Sequence, residues 1–296
     1  MSLAPRPSPH SPAPASTQAV QGEFPFTNED FRRICALLYE TSGIALPESK
    51  ATLVYSRLAK RLRILGVASF RDYCSMVASP EGVDERHHML TALTTNVTRF
   101  FREPHHFDHL LDKVIKPALD GVKRGGKLRI WSAGCSTGQE PYSIALTILS
   151  ALPDAHNYDI KILATDIDTN VIATGMAAVY SEDLIEAIPA AARSRWMERA
   201  PNGRDWAMNE AVCSLVSFRE LNLMGDWPMK GQFDAIFCRN VVIYFDEPTQ
   251  DRIFTRYQGR LAPEGRLYIG HSERVGVPGF ETDGLTCYRH VGVRRA

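Results

Sequence analysis

The chain has no Cys-x-x-C pair, no glycine loop followed by Lys-Ser/Thr, and no three-glycine dinucleotide fingerprint. The second absence argues against a Walker nucleotidase, and the third against an NAD oxidoreductase. Formal charge is zero, with 34 basic and 34 acidic residues. Nothing global therefore points to nucleic acid or an anionic membrane. No apolar run reaches the roughly 18 residues of a membrane span. The N-terminus lacks the apolar core of a secretory signal. The six cysteines, Cys35, Cys74, Cys135, Cys213, Cys238 and Cys287, are scattered and mostly sit in apolar runs. They read as reduced core residues of a cytoplasmic protein. The 296 residues and 44% hydrophobic content suit one large or two modest domains with a real core.

What is present centres on Leu128 to Ser150, L-R-I-W-S-A-G-C-S-T-G-Q-E-P-Y-S-I-A-L-T-I-L-S. A buried strand is expected over Leu128 to Ala133, then a loop with Gly134 and Gly138, then a helix carrying Ile144, Ala145, Ile148 and Leu149 on one stripe. Strand, glycine loop and helix let a backbone approach a ligand closely, with a helix N-terminus facing it. Thr137 and Glu140 fit a capping box, with Pro141 in the first turn. A second strand, Tyr158 to Ala164, ends in Thr165-Asp166-Ile167-Asp168. An acid there can hold the two hydroxyls of a ribose. The other reading of either acid is the N-cap of a helix beginning near Thr169, and one can cap while the other binds.

Residues 1–22 are rich in Pro, Ser and Ala and are expected to be a disordered tail. Residues 23–95 read as four helices. Thr27 and Asp30 resemble a capping box, and Phe31, Ile34, Cys35 and Leu38 make a stripe. In the second helix, Ala51, Val54, Leu58, Leu62 and Leu65 share one face. Arg57, Lys60 and Arg63 fall largely on the other, with Arg61 at the margin. That basic face is either a solvated surface or a grip on an acidic partner. Residues 96–120 form a linker and helix. His105 and His109 lie one turn apart there, but no glutamate follows the first as in H-E-x-x-H, so no metal is expected.

From residue 121 to 296 strands and helices alternate, the mark of a doubly wound sheet. The alternation breaks over about residues 180–218. A short helix, a Pro-Asn-Gly turn, and two runs that could pair with each other (Trp206 to Asn209 and Cys213 to Phe218) read as a small β insertion. Later strands are expected at Phe233 to Cys238, Leu267 to Gly270 and Thr286 to Val293, with a helix over Pro248 to Leu261. Ligands in such sheets bind beyond the carboxyl ends of the strands. The candidate site is then Gly134 to Glu140, Asp166, Asn222, Arg239-Asn240 and His271-Ser272-Glu273.

T-T-N-V-T-R-F-F-R-E, A-G-C-S-T-G-Q-E-P-Y-S, A-T-D-I-D, L-N-L, F-D-A-I-F-C-R-N-V-V-I-Y-F-D and L-A-P-E-G-R-L-Y-I-G-H-S-E, in this order, resemble the CheR family of chemotaxis receptor methyltransferases. The likeness runs from about Phe26 to the C-terminus. It implies an α/β fold: a Rossmann-like S-adenosylmethionine-dependent methyltransferase domain with a small β insertion, preceded by an all-α N-terminal domain. It implies methyl transfer from S-adenosylmethionine, leaving S-adenosylhomocysteine, to glutamate side chains on the cytoplasmic helices of chemoreceptors. By the same resemblance Asn96, Thr98 and Arg102 would lie at the methionine end of the cofactor. Glu140 would bind its ammonium, Asp166 its ribose, Asn222 and Leu223 would sit at the adenine, and Arg239 and Asn240 would complete the pocket. Tyr244, with Arg102, would orient the incoming glutamate. Arg57, Lys60, Arg61 and Arg63 would face the acidic receptor helices. Some family members also tether to a receptor tail peptide through a glycine-rich loop in the β insertion. Here that loop reads A-P-N-G-R-D, with one glycine, which favours a member that works without the tether.

Two other classes compete. A nucleic-acid amino-methyltransferase would be expected to carry Asp/Asn-Pro-Pro-Tyr/Phe after the fourth strand, where this chain has Arg-Asn-Val-Val-Ile-Tyr. A non-catalytic cofactor-binding docking module would not need Arg102, Asp166 and Tyr244 together.

Overall fold

The computed structural model describes residues 18–292. Two compact units divide these: residues 18–40 with 46–93, and residues 41–45 with 94–292.

The first unit begins with a short ribbon, β1 (Gln18–Val20) paired antiparallel with β2 (Phe26–Thr27). Residues 18–20 thus depart from the disorder expected of the tail, because their backbone groups find partners when the chain folds back at 21–25. Residues 1–17 lie outside the described residues. Four helices follow: α1 (Asn28–Ser42), α2 (Ala51–Leu65), α3 (Phe70–Ala78) and α4 (Val83–Leu93). The Thr27/Asp30 box is reciprocal, with Thr27 N donating to Asp30 Oδ2 at 2.9 Å and Asp30 N donating to Thr27 Oγ1 at 3.2 Å. Gly66, at φ 67°, closes α2 in the left-handed conformation that glycine adopts without strain.

The basic face of α2 needs correcting. Arg61 is largely enclosed, pairing through Nε and Nη2 with Glu85, whose carboxylate also accepts from the Tyr73 hydroxyl at 2.8 Å. It lies one turn from the buried Leu58 and next to the buried Leu62, so its charge is spent inside the unit. Arg57 donates to the carbonyl of Leu93 at 2.9 Å, at the end of α4. Lys60 and Arg63 are exposed, and Arg63 pairs with Glu23 at 2.8 Å.

The second unit opens with α5 (His105–Leu110), a π turn over Leu111–Ile115, and α6 (Lys116–Lys123). Then come β3 (Leu128–Ala133), α7 (Gln139–Ala151), β4 (Ile160–Asp166), α8 (Thr169–Ala177), β5 (Val179–Tyr180), α9 (Ala190–Trp196), β6 (Met197–Arg199), β7 (Trp206–Met208), α10 (Glu210–Cys213) and β8 (Val216–Glu220). The chain ends with β9 (Phe233–Cys238), α11 (Glu247–Gln258), β10 (Leu261–Ile269), β11 (Phe280–Gly284) and β12 (Cys287–His290).

The main sheet runs β11-β12-β10-β9-β3-β4-β8. Its five strands from β10 to β8 are parallel, and the two closing strands are antiparallel. Both faces are covered, so the central strands are apolar on both sides. In β9, Ala235 and Phe237 join one core cluster while Ile236 and Cys238 join the other. The order reverses between β3 and β9, the switch point where such sheets open a crevice.

Two expectations for the insertion change. Trp206–Met208 pairs with Met197–Arg199 and Val179–Tyr180 in a separate three-stranded sheet, while Val216–Glu220 lies parallel to β4 at the edge of the main sheet. A helical turn, Glu210–Cys213, caps on Asn209 and turns the chain away from a hairpin. The last strand is also a hairpin of two, because Thr286 at φ 54° reverses the chain.

The histidines of α5 are packing groups. His106 Nε2 lies 2.8 Å from Thr286 Oγ1, and His109 Nε2 lies 2.9 Å from the Asp283 carbonyl. No cluster placed to hold a metal occurs among the described residues. Burial, together with the charges of Arg239 and His105 and against that of Glu103, pushes the His106 imidazole down to about 3. It stays neutral in the folded chain, while the unfolded chain takes up a proton below about pH 6.5. The contribution of His106 to stability is then complete above that pH and falls as pH drops toward 3. Thermal unfolding from about pH 7.5 to about pH 5.5 should show a falling midpoint, and His106→Gln should flatten that slope. An unchanged slope would contradict the assignment.

Candidate functional site

The loops after β3 and β9, and the segment before α5, depart from ordinary backbone. Gly134 has φ 85° and Gly138 φ 95°. A Cβ on Gly134 would overlap the Val241 side chain, and one on Gly138 would come within 2.8 Å of the Tyr180 hydroxyl. Four non-glycine residues also take positive φ here: Phe101 (49°), Glu103 (57°), Ser136 (48°) and Asn240 (59°). Such strain persists only where surrounding bonds hold it, and it clusters at functional sites.

The glycine loop is tied to the end of β4. Gly134 N and Cys135 N both donate to the Thr165 carbonyl, at 2.8 and 2.9 Å. Asp166 Oδ2 accepts from Ser136 N at 2.8 Å, and Oδ1 accepts from Asp168 N at 3.1 Å. A carboxylate offers about four acceptor sites, so these bonds leave acceptor capacity for a ligand's hydroxyls. Burial pushes the Asp166 carboxyl above its usual value, although these N–H groups act to hold it down. Asp168 is the other acid. It caps α8 by accepting from Asn170 N at 2.9 Å, and its second oxygen accepts from the Asn96 amide at 2.8 Å. Asn96 O in turn accepts from Ser136 Oγ at 2.9 Å, so the segment after Leu93 is laced to the loop. Cys135 is buried, and burial pushes its thiol well above the usual range. It fills the loop and offers no thiolate nucleophile.

Glu140 does not close a capping box. Gly138 is the N-cap of α7 with no side-chain bond, and Thr137 bonds Gln139 instead. Glu140 turns inward, because Ser132 Oγ donates to it at 2.7 Å and Arg239 Nη1 at 3.3 Å. Burial raises its carboxyl despite both partners. Arg239, directly after β9, also reaches Glu103 Oε2 at 3.2 Å and the Arg102 carbonyl through Nη2. Its side chain is only 2% exposed. Glu103 Oε1 accepts from His271 at Nδ1 (2.9 Å) and N (3.3 Å).

Asn240 donates its N–H to Glu273 Oε2 at 3.0 Å, and Val241 and Ile243 donate to Glu273 Oε1 at 2.9 and 3.3 Å. One buried carboxylate thus clasps the turn that carries Tyr244, whose carbonyl accepts from Ala45 N at 2.8 Å. At the end of β8, Leu221 N donates to the Asp166 carbonyl at 2.9 Å. Asn222 follows, its side chain bonding the Thr41 carbonyl at 2.6 Å and Met224 N at 2.9 Å, with Leu223 buried beside it. Arg102 Nη1 donates to the Val97 carbonyl at 3.1 Å, and Thr98 is half-buried between them in sequence.

Asn96, Arg102, Glu140, Asp166, Arg239 and Asn240 thus gather on connected loops of one unit. Arg57, Lys60, Arg61 and Arg63 belong to the other unit. Sequence reasoning gave no role to Ser132 or Glu103. Ser132 was signalled only as a polar residue within an apolar strand.

The residues present fit a cofactor with an ammonium and a ribose. Two largely enclosed carboxylates with spare acceptor sites, Glu140 in the first turn of α7 and Asp166 at the end of β4, flank a loop whose glycines admit no side chain.

Comparison with known proteins agrees. The family described as CheR methyltransferase, SAM binding domain, matches residues 96–283, and the CheR methyltransferase all-alpha domain matches residues 29–94. A probable chemotaxis protein methyltransferase of Rhizobium etli is 52% identical over 259 residues, covering 86% of this chain and 97% of the relative. Chemotaxis protein methyltransferase 2 of Pseudomonas aeruginosa is 46% identical, covering 85% of this chain and 88% of its own. The Escherichia coli chemotaxis protein methyltransferase is 39% identical, covering 82% and 83%.

Proposed function

The chain belongs to the CheR family of S-adenosylmethionine-dependent methyltransferases, and on that premise we propose that it methylates glutamate side chains on the cytoplasmic helices of chemoreceptors. The observation that carries this reading is the pair Glu140, in the first turn of α7, and Asp166, at the end of β4, both largely enclosed with acceptor sites to spare. S-adenosylmethionine supplies an electrophilic methyl group on a sulfonium. Glu140 would accept the ammonium of the methionine end and Asp166 the ribose hydroxyls. Asn222 and Leu223 would flank the adenine, with Asn96, Thr98 and Asn240 closing the pocket.

A glutamate side chain has a pKa of about 4.3 and is already ionised at neutral pH. It needs no general base to attack a methyl group. An anion meets a cation, so charge vanishes toward the transition state. Strong stabilisation of the separated charges would slow the reaction. The chain's contribution is then orientation and removal of water. Arg102 and Tyr244 would hold the substrate carboxylate in line. Glu273 and Ala45 fix the backbone of the Tyr244 turn, so the phenol starts from a defined position.

Tyr244→Phe is accordingly expected to lower kcat by about tenfold to a hundredfold while cofactor affinity changes less than about threefold. Equal losses in both would remove Tyr244 from that role.

On the first unit, Lys60 and Arg63 would meet the acidic receptor surface, with Arg57 behind them. Arg61 is occupied by Glu85 and contributes nothing directly. This reading places the protein's work in the cytoplasm.

The test is peptide mapping by mass spectrometry after incubation with S-adenosylmethionine and a receptor cytoplasmic fragment. Additions of one methyl at glutamates, removed by mild alkali, are the expected result. Alkali-stable methylation at other residues would overturn the substrate assignment.

A further inference from the structure

Arg239 poses an electrostatic problem. A guanidinium beside one carboxylate normally closes a two-bond fork. Closed on Glu140, that fork would neutralise the group that is to receive an ammonium. The structure avoids this. Only Nη1 reaches Glu140, at a long 3.3 Å, while Nη2 is drawn off to Glu103 Oε2 and the Arg102 carbonyl. Arg239 Nε makes no hydrogen bond among the described residues. Glu103 is itself held by two bonds from His271 and kept at φ 57°. Burial alone would raise its carboxyl, but His271 and Arg239 outweigh that and hold it below the usual value.

We propose that Glu103 is a positioning residue that reserves Glu140 for the cofactor's ammonium by holding Arg239 between two carboxylates. This rests on the reading that Glu140 takes the ammonium. Without the Glu103 charge, Arg239 has one anionic partner and closes on Glu140. The ammonium must then displace it.

The consequence is selective for the amino-acid end. S-adenosylhomocysteine carries the ammonium. 5′-Methylthioadenosine has the same adenosine and a thioether but no amino-acid end. Calorimetric titration of Glu103→Gln should show S-adenosylhomocysteine affinity reduced about tenfold, with 5′-methylthioadenosine within about twofold of wild type. Glu103→Asp withdraws the carboxylate from Arg239 but keeps its charge, and it should shift the first ligand in the same direction by less. Equal weakening of both ligands, or of neither, would overturn the proposal, since a merely structural role cannot tell them apart.

Glu140→Gln separates the two layers of the argument. It should also weaken S-adenosylhomocysteine selectively. Selective loss in Glu140→Gln but not in Glu103→Gln removes only the Glu103 role. No selectivity in Glu140→Gln removes the ammonium reading and the Glu103 role with it.

Discussion

Asp166→Ala is expected to weaken S-adenosylhomocysteine binding at least about a hundredfold while lowering the unfolding midpoint only modestly. Its carboxylate does two jobs. It holds Ser136 N and Asp168 N, fixing the loop in a conformation that costs Ser136 a positive φ. In the proposed reading it would also offer its remaining acceptor capacity to the ribose. Each backbone donor left unpaired costs about 1–3 kcal/mol if it stays buried, so the loop will relax rather than keep both orphans. Relaxation displaces Ser136, whose hydroxyl holds the Asn96 carbonyl, and the pocket loses two walls. The smaller effect on stability follows from the carboxyl's own burial. Its charge is expensive to keep out of water, which is why its pKa is raised, and removing it recovers part of the lost bonding. Calorimetry beside a thermal melt separates the effects. A large loss of stability with unchanged affinity would contradict the assignment.

Arg239→Met should act in the opposite sense, on stability first. The guanidinium is almost fully buried between Glu140 and Glu103, and methionine keeps much of its volume. Deleting one partner of a buried ionic group costs about 3–5 kcal/mol, because the other charges remain without compensation. Two carboxylates would then face each other without a cation. The loss should be larger at pH 8 than at pH 5, where protonation of one of them relieves it. Adding Glu103→Gln should restore part of the stability, so the double variant should be more stable than Arg239→Met alone. Urea midpoints at two pH values measure this. A pH-independent loss with no recovery would show that Arg239 matters for packing alone, for example through its place over Phe107.

Local pattern was enough to read the alternation of strands and helices and the carboxyl-end residues. A buried parallel strand and an amphipathic helix each carry their own period. For Asp166 and Asp168 local pattern said only that one could cap, and Asp168 is the one that caps α8. The errors fall where local and distant partners compete. Thr137 and Glu140 have capping-box spacing, but Ser132 and Arg239 take Glu140 and Gly138 opens the helix. Arg61 sat at the margin of a helical wheel, and only Glu85, 24 residues away, decides which side it joins. Val216–Glu220 alternates as an edge strand should, but its neighbour is β4, not the adjacent Trp206–Met208. Phe280–Gly284 is too polar to stand out and pairs only at the outer edge. Glu103 had no signal of its own, because its partner Arg239 is 136 residues away.

A crystal structure with S-adenosylhomocysteine bound tests the central claim most directly. The account predicts the ammonium within hydrogen-bond reach of Glu140 and the ribose hydroxyls on Asp166, with Arg239 still shared between Glu140 and Glu103. A ligand whose amino-acid end lies away from Glu140, or whose ribose leaves Asp166 untouched, would contradict it.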